Sequence, residues 1–169
     1  GRTELLESLF GIAPAVSGRI AVSGRDAAIS NPREAIAAGL ALVPEDRKQQ
    51  GLIIDMAVAD NLSLASLERD QKSGFLNFVS EREISEEMID RMRIKTPSER
   101  QVVRFLSGGN QQKVVIGKWL AMRPGVLLLD EPTRGIDIGA KQEIYALMEE
   151  LAEQGVAILF VSSEMEEVL

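Results

Sequence analysis

The sequence contains neither cysteine nor histidine among its 169 residues. The absence of cysteine excludes disulfides, thiol nucleophiles and thiolate metal sites. The absence of histidine excludes Ser-His-Asp catalysis, imidazole metal ligands and histidine proton switches. Any catalysis must therefore use carboxylates, hydroxyls, lysine or arginine, backbone amides, or a metal held by oxygen ligands.

Aromatic residues and positive charge are also scarce. Only 4% of the residues are aromatic although 45% are apolar, which is typical of a globular protein with an aliphatic core. The formal net charge of −7 argues against a general nucleic-acid-binding function, because neutralising phosphates needs a basic face. No apolar run approaches the roughly 18–20 residues that span a bilayer. The first residues show no signal peptide, so we expect a cytosolic chain of one domain.

The pattern of apolar residues divides the chain into three zones, and the first is residues 1–52. Helical and extended patterns alternate in this zone. Pro32 just inside the second helical pattern and Gly39 just after it mark that helix's two ends. The predicted elements are a helix at Thr3–Phe10, a strand at Arg19–Ser23, a helix at Asn31–Gly39 and a strand at Leu40–Pro44.

The second zone, residues 53–105, is polar and favours helices, with no clear buried strand. Its clearest helix is predicted at Ser80–Arg93, where Ser80 as N-cap and Glu83 three residues later would form a capping box. Four apolar side chains then share one face at helical spacing: Ile84, Met88, Ile89 and Met92.

The third zone, residues 106–169, returns to alternation. The predicted elements are a helix at Asn110–Met122, a strand at Val126–Leu129, a helix at Gly139–Gln154 and a strand at Val156–Val161. Both strands are continuous aliphatic runs, which is typical of parallel strands covered on both faces. Gly155 stands where the residue after a helix is often glycine. We therefore predict an α/β domain with a helical insertion between its halves.

Two acidic residues, Asp130 and Glu131, follow the strand at Val126–Leu129. Ligands of open α/β sheets bind at the carboxyl ends of the strands, so this position suits a functional pair of carboxylates. By itself, the pattern is equally compatible with a strand that ends in a solvated acidic turn.

Ser107, Gly108 and Gly109 open a helix upstream of that acidic pair. A serine N-cap followed by two glycines lets a hydroxyl and backbone N–H groups approach an anion closely. Taken alone, the three residues could also be an ordinary turn and cap. Their combination with the acidic strand end favours a phosphate-binding function.

Together these motifs resemble those of ABC-type ATPases. Leu106–Lys113, Val126–Thr133 and Arg134–Asp137 are similar to the signature motif, the Walker B motif and the D-loop. With residues 44–48, the resemblance narrows to the second nucleotide-binding domain of bacterial simple-sugar importers and covers essentially the whole chain. It implies a P-loop NTPase-type parallel sheet with an inserted helical subdomain, lacking the N-terminal β subdomain and the first core strand. Gly1, Arg2 and Thr3 match the end of a phosphate-binding loop, with Arg in the place of Lys.

The resemblance implies ATP and Mg²⁺ as cofactors and a role for each matching residue. Arg2 would face the β- and γ-phosphates, and Thr3 and Asp130 would hold Mg²⁺. Glu131 would be the catalytic residue that orients or deprotonates the attacking water. Glu45 stands where most members have a glutamine that senses the γ-phosphate, and its charge would weaken phosphate binding.

A second set of residues would face a nucleotide held by another ABC domain. It consists of Ser107, Gly108, Gly109, Gln111 and Asp137. The resemblance implies that this other domain is fused upstream, that residues 53–105 dock on membrane permease subunits, and that a periplasmic sugar-binding protein takes part indirectly. It places the protein peripherally on the cytoplasmic face of the bacterial plasma membrane. From the residues alone, the insertion is equally compatible with a solvated helical bundle.

One departure from the family pattern concerns the missing histidine. Ser163 occupies the position of the switch histidine, and serine provides no charged contact to a γ-phosphate. We therefore predict a degenerate site in this domain and an intact signature motif that completes a partner's site. Two alternatives are a non-catalytic regulatory ABC module and an ABC ATPase of a non-transport assembly. Elsewhere, we expect Trp119 in the core and the start of a helix at residues 164–169.

Overall fold

The computed structural model describes residues 1–13, 15–71 and 75–164. Of the helix start predicted at residues 164–169, all residues after Glu164 lie outside the described part of the chain. The helices are α1 (Arg2–Leu9), α2 (Pro32–Ala37), α3 (Val58–Ser63), α4 (Leu67–Asp70), α5 (Phe78–Arg91), α6 (Gly108–Leu120) and α7 (Ile138–Glu153), and the strands are β1 (Ala21–Val22), β2 (Arg25–Asp26), β3 (Leu40–Val43), β4 (Val126–Asp130) and β5 (Ala157–Val161).

The central sheet is parallel and has the strand order β3-β4-β5. Leu40 pairs with Val126 on one side of β4, and Asp130 pairs with Val161 on the other. Parallel strands need crossover connections, and here α7 connects β4 to β5. The predicted α/β architecture is confirmed. The strand predicted at 19–23 is shorter than expected and forms a small antiparallel hairpin, β1-β2.

The two faces of the sheet carry separate apolar cores. Because side chains alternate along a strand, Leu127 and Leu129 of β4 point into one core, and Leu128 points into the other. The larger core is formed with α3, α5, α6 and α7, and the smaller with α1 and α2. Trp119 contacts both cores, as predicted, and its ring meets that of Phe10 edge-on at 5.7 Å.

The prediction that both aliphatic strands are covered on both faces is right for β4 and wrong for β5. Leu159 in the middle of β5 is 40% exposed, and Ile158 and Phe160 are only half-buried. Among the described residues, β5 is the last strand of the sheet and pairs with β4 alone. An edge position leaves part of an aliphatic strand open to solvent, and composition does not distinguish an edge strand from a central one.

The inserted segment is helical, as predicted, and is held by packing of α3 against α5 and α6. The predicted capping box at Ser80 is wrong. The helix begins one turn earlier, and the side chain of Asn77 accepts a hydrogen bond from the Ser80 backbone N–H at 3.5 Å. Asparagine is as good an N-cap as serine, so the local pattern allowed either start. The apolar face is confirmed, with Met88 and Met92 fully buried.

The predicted helix ends of the core are confirmed. Asn31 caps α2, with Pro32 in the first turn. Gly39 and Gly155 have φ angles of +86° and +90°, which suit glycine after a helix. In the part of the chain that the structure describes, no helix is long and apolar enough to cross a membrane.

Candidate functional site

Three segments meet at the carboxyl end of the central sheet. Asp130 ends β4, Ser162 follows β5, and the N-terminus of α1 lies beside them, where Arg2 donates a hydrogen bond to the Ser162 carbonyl. Gly1 is the exposed N-cap residue of α1. Residues from both ends of the chain are therefore brought to the edge where ligands of open α/β sheets bind.

Asp130 is the buried carboxylate of this edge, with only 3% of its surface exposed. Burial raises the pKa of Asp130, and the charge of Glu131 raises it further. A hydrogen bond with the Thr3 side chain and the charge of Arg2 oppose this rise. Its Oδ1 atom is buried without a hydrogen-bond partner among the described residues. A hydroxyl and an unpaired carboxylate oxygen suit Mg²⁺, which prefers oxygen ligands and retains several waters.

Glu131 has an unusual backbone conformation. Its φ angle is +47°, which is uncommon for a residue with a side chain. The backbone N–H of Glu131 donates to the Val161 carbonyl at 2.9 Å, which continues the sheet pairing beyond β4. The Ser163 hydroxyl donates to Glu131 Oε2 at 3.1 Å. Ser163 therefore contacts the carboxylate that is predicted to be catalytic.

Glu45 follows β3 at the same edge of the sheet and is half-buried. Its carboxylate forms an ion pair with Arg134, in the segment that follows Glu131. The Glu45 charge is therefore neutralised by a neighbouring side chain, which the sequence did not predict. Arg47 adds a second connection between these segments, because its Nη1 donates to the Arg134 carbonyl at 2.8 Å and its Nη2 to the Gly135 carbonyl at 3.4 Å.

A second group of predicted residues lies where α6 and α7 begin. Ser107 is exposed and caps α6 by accepting a hydrogen bond from the Asn110 backbone N–H at 3.4 Å. Gly109 is buried, and a Cβ atom there would lie 2.5 Å from the Cβ of Ala140 in α7. The glycine is therefore needed for close packing of the two helices, in addition to any contact with a phosphate.

Asp137 and Gln111 differ in their exposure. Asp137 is exposed and caps α7, since its carboxylate accepts a hydrogen bond from the Ala140 N–H at 2.9 Å. Gln111 is 4% exposed, and its side-chain amide donates to the carbonyls of Val103 and Leu106 at 3.2 and 3.3 Å. The structure thus groups Asp137 with Ser107 at the surface and directs the Gln111 side chain into the domain.

A cavity of about 400 Å³ extends from the carboxyl end of the sheet to the packed rings of Phe10 and Trp119. Thr3, Asp130 and Lys118 are among the residues that line it. Burial lowers the pKa of Lys118 to about 8. Its ammonium donates to the Gly51 carbonyl at 2.6 Å.

Sequence reasoning missed the connecting role of Arg47 and Arg134. Both belong to segments that carry the family resemblance, which implies roles for Glu45 and Asp137 there but none for the two arginines. One signal could have indicated this connection: each of two loops at the same end of the sheet carries a charged residue. The partners of these two arginines depend on how the two loops pack against each other. The sequence alone does not specify this packing.

Comparison with known sequences identifies the relatives of this chain. It is 55% identical to the ribose import ATP-binding protein RbsA of Rhodopirellula baltica and 48% identical to that of Bacillus subtilis. The alignments cover 100% of this chain and 33% and 34% of those proteins. The chain therefore spans about a third of the length of the curated relatives it matches. The predicted similarity to a nucleotide-binding domain of simple-sugar importers is confirmed.

Solved structures with the same fold are ATP-binding cassettes. A nucleotide-free cassette from an ABC transporter has a TM-score of 0.81 at 20% identity, covering 99% of this chain and 68% of that chain. A cassette in a post-hydrolysis state bound to ADP and Pi has a TM-score of 0.78 at 20% identity, covering 98% and 71%. At these identities the likeness establishes the fold alone, which confirms the predicted P-loop NTPase-type architecture.

The sequence profile that describes ABC transporters matches residues 1–134. That stretch includes most of the residues that meet at the carboxyl end of the sheet, as well as the cap of α6. ATP and Mg²⁺ are the cofactors of this family, as predicted. With the match over most of its length and the agreement in fold, this chain belongs to the ABC transporter family.

Proposed function

We propose that this chain is an ATP-binding domain of a sugar importer, in which ATP binding and hydrolysis drive uptake of a monosaccharide. The observation that carries the proposal is the contact of Thr3 with the buried Asp130, next to Glu131, at the carboxyl end of a parallel sheet. The names of the relatives point to ribose as the sugar. The chain would act at the cytoplasmic face of the membrane, with permease subunits, a second ABC domain and, indirectly, a sugar-binding protein.

In the domain's own site, Thr3 and Asp130 would hold Mg²⁺ through their oxygen atoms, and the ion would neutralise charge on the phosphates. Glu131 would accept a proton from the attacking water or orient that water. Ser163 donates a hydrogen bond to the Glu131 carboxylate, and a hydroxyl at this position brings no positive charge to a γ-phosphate. Arg2 is already engaged by the Ser162 carbonyl.

We further propose that this site is degenerate and that the chain's main contribution is to a partner's site. Ser107 and Asp137 are both exposed at helix N-termini, where backbone N–H groups and the helix dipole favour an anion. These two residues would face the partner domain and contact that domain and the nucleotide it holds. Arg for Lys and Ser for His in the domain's own site support this division of labour, whereas the charge of Glu45 is neutralised by Arg134 and adds no support.

The test compares two substitutions in the full natural polypeptide, reconstituted with its membrane partners. Ser107→Arg should abolish transport-coupled ATPase activity, because it places bulk and charge where the partner's nucleotide would lie. Glu131→Gln should cause a smaller loss. Ser17→Arg, at another exposed serine, is the matched control. Equal losses from Ser107→Arg and Glu131→Gln would refute the division of labour.

A non-catalytic regulatory module is the second candidate, favoured by the engagement of Arg2 with Ser162 and of Glu131 with Ser163. Glu131→Gln in the full polypeptide distinguishes the two, because a domain that hydrolyses ATP in its own site should lose part of the activity and a non-catalytic module should lose none. Thermal unfolding of this chain with and without millimolar ATP-Mg²⁺ tests the domain's own site separately, because a ligand that binds the folded state raises the melting temperature. An unchanged melting temperature would support the degenerate site.

A further inference from the structure

Arg47 begins the π-helical turn (Arg47–Gly51) that follows β3, and its side chain crosses to the segment that follows β4. The guanidinium donates to two successive carbonyls, those of Arg134 and Gly135, at 2.8 and 3.4 Å. The side chain is half-buried, and its Nε atom is buried without a partner among the described residues. Burial also lowers the pKa of Arg47, although the nearby Asp46 charge raises it. Burying a charged group and an unpartnered Nε atom is unfavourable, which indicates that the two carbonyl contacts stabilise this position of the side chain.

The start of α6 adjoins the same guanidinium. A Cβ atom at Gly108 would lie 2.9 Å from Arg47 Nη2 and 3.4 Å from the Gly135 carbonyl oxygen. Glycine at this position therefore admits the arginine between α6 and the segment 134–135. Three segments that are far apart in sequence meet at one side chain: the turn after β3, the start of α6 and the turn before α7.

The turn before α7 is also held by the Arg134 N–H, which donates to the Glu131 carbonyl at 3.1 Å, and by the ion pair of Arg134 with Glu45. Gly135 has a φ angle of +65°, and the Ile136 N–H donates to the Thr133 carbonyl at 3.3 Å. The turn leads directly into Asp137, the exposed N-cap of α7. The planar guanidinium holds two carbonyls in a fixed geometry, which a lysine ammonium does not reproduce.

We propose that Arg47 is a positioning residue that fixes the turn 134–137 against the start of α6, so that Ser107 and Asp137 face the partner domain in register. This inference rests on the proposed function, because it assigns to Arg47 the alignment of the partner-facing group. Arg47 does not touch the nucleotide in this scheme. It acts through the backbone of the turn and connects the domain's own site, at Glu45, to the surface that completes the partner's site.

The experiment measures ATP hydrolysis and amide hydrogen exchange in the full natural polypeptide with its membrane partners. Arg47→Met should lower kcat about tenfold or more, because a misplacement of about 1 Å in a catalytic group costs up to about 100-fold. The KM for ATP should change less than about twofold, since no phosphate contact is removed. Amides in residues 133–137 should exchange faster than in the wild type, while the melting temperature stays within about 3 °C.

Two further variants serve as control and second test. Arg19→Met removes an exposed arginine that pairs with Asp26 in the β1-β2 hairpin, and it should leave kcat, KM and exchange unchanged. Arg47→Lys keeps the charge but not the planar guanidinium that holds two carbonyls, so its kcat should fall between those of the wild type and Arg47→Met. It also keeps the test valid if Arg47→Met does not fold.

The outcomes separate this inference from the proposed function. If the wild type does not hydrolyse ATP, the proposed function fails, and the exchange of residues 133–137 still shows whether Arg47 fixes the turn. If the wild type is active and both Arg47 variants match it, the positioning role is refuted while the proposed function stands. Equal changes in kcat and KM, or unchanged exchange at residues 133–137, would also refute it.

Discussion

Replacing Glu143 by glutamine should destabilise this chain, because Glu143 neutralises a buried lysine. The Lys113 side chain in α6 is only 4% exposed, and its ammonium lies 2.7 Å from Glu143 Oε2 and 3.2 Å from the Arg93 carbonyl. Lys95 contacts the other carboxylate oxygen at 2.9 Å. Glu143→Gln would leave the Lys113 charge buried with neutral partners only.

The pKa of Glu143 gives the magnitude. Hydrogen bonds from Lys113 and then from Lys95, followed by their charges, lower the pKa from 4.5 to about 2. A shift of this size corresponds to about 3 kcal/mol at full strength. The Glu143 side chain is 44% exposed, however, so solvent screens part of the interaction. We therefore expect Glu143→Gln to lower the free energy of unfolding by about 2 kcal/mol at neutral pH.

Urea unfolding followed by fluorescence measures this change, and Trp119 is the single tryptophan that reports it. Because the folded pKa of Glu143 is depressed, its contribution is complete above about pH 4.5 and disappears as the pH falls towards about 2. The difference between wild type and Glu143→Gln should therefore shrink over that range. Glu150→Gln is the matched control, because the contacts of Glu150 with Arg93, at 3.7 Å, and with the Gln154 side-chain amide, at 3.3 Å, lie at the surface.

A double substitution tests the physical cause. If the cost arises from an uncompensated buried charge, Lys113→Met should recover most of the stability that Glu143→Gln loses, since an apolar side chain of similar length suits the buried position. The reasoning is refuted if Glu143→Gln unfolds within about 0.5 kcal/mol of the wild type at pH 7. It is also refuted if Lys113→Met brings no recovery.

Three further predictions concern packing, capping and a buried lysine. Gly109→Ala should lower the free energy of unfolding by about 1–3 kcal/mol in urea, because its Cβ would meet that of Ala140 at 2.5 Å. Asn77→Ala should cost about 0.5–1 kcal/mol through loss of the α5 cap, and Ser80→Ala should cost nothing measurable in the same assay. The pKa of Lys118 is about 8 in the folded chain, so the unfolded chain binds more protons above that pH, and stability should rise from about pH 8 towards 10.5. Lys118→Met should lack this rise, and equal pH profiles would contradict the assignment.

Local sequence patterns predicted much of the fold because they act within a few residues. The aliphatic run before Asp130, the glycines after α2 and α7, and the apolar face of α5 each depend on neighbours along the chain. The start of α5 was wrong by one turn because Asn77 and Ser80 are both good N-caps. The exposure of β5 was also missed, since the number of strands beside it depends on the whole sheet.

The candidate site divides in the same way. The motifs predicted that Thr3, Asp130 and Glu131 would bind or act on a phosphate ligand, because each of these residue types has that chemistry and their spacing resembles that of the family. The resemblance also predicted that Ser163 occupies the position of the switch histidine. Its hydrogen bond with Glu131, however, connects positions that are 32 residues apart.

By itself, then, the sequence determined the fold class, the family and the chemical character of the site. Only the tertiary structure decided that Arg134 neutralises Glu45, that Gln111 points into the domain and that Arg47 joins two loops at the start of α6. The physical reason is that motifs and caps are formed by residues close together in the chain. Ion pairs and carbonyl contacts between loops depend on side-chain positions that are fixed only when the sheet brings those loops to the same edge.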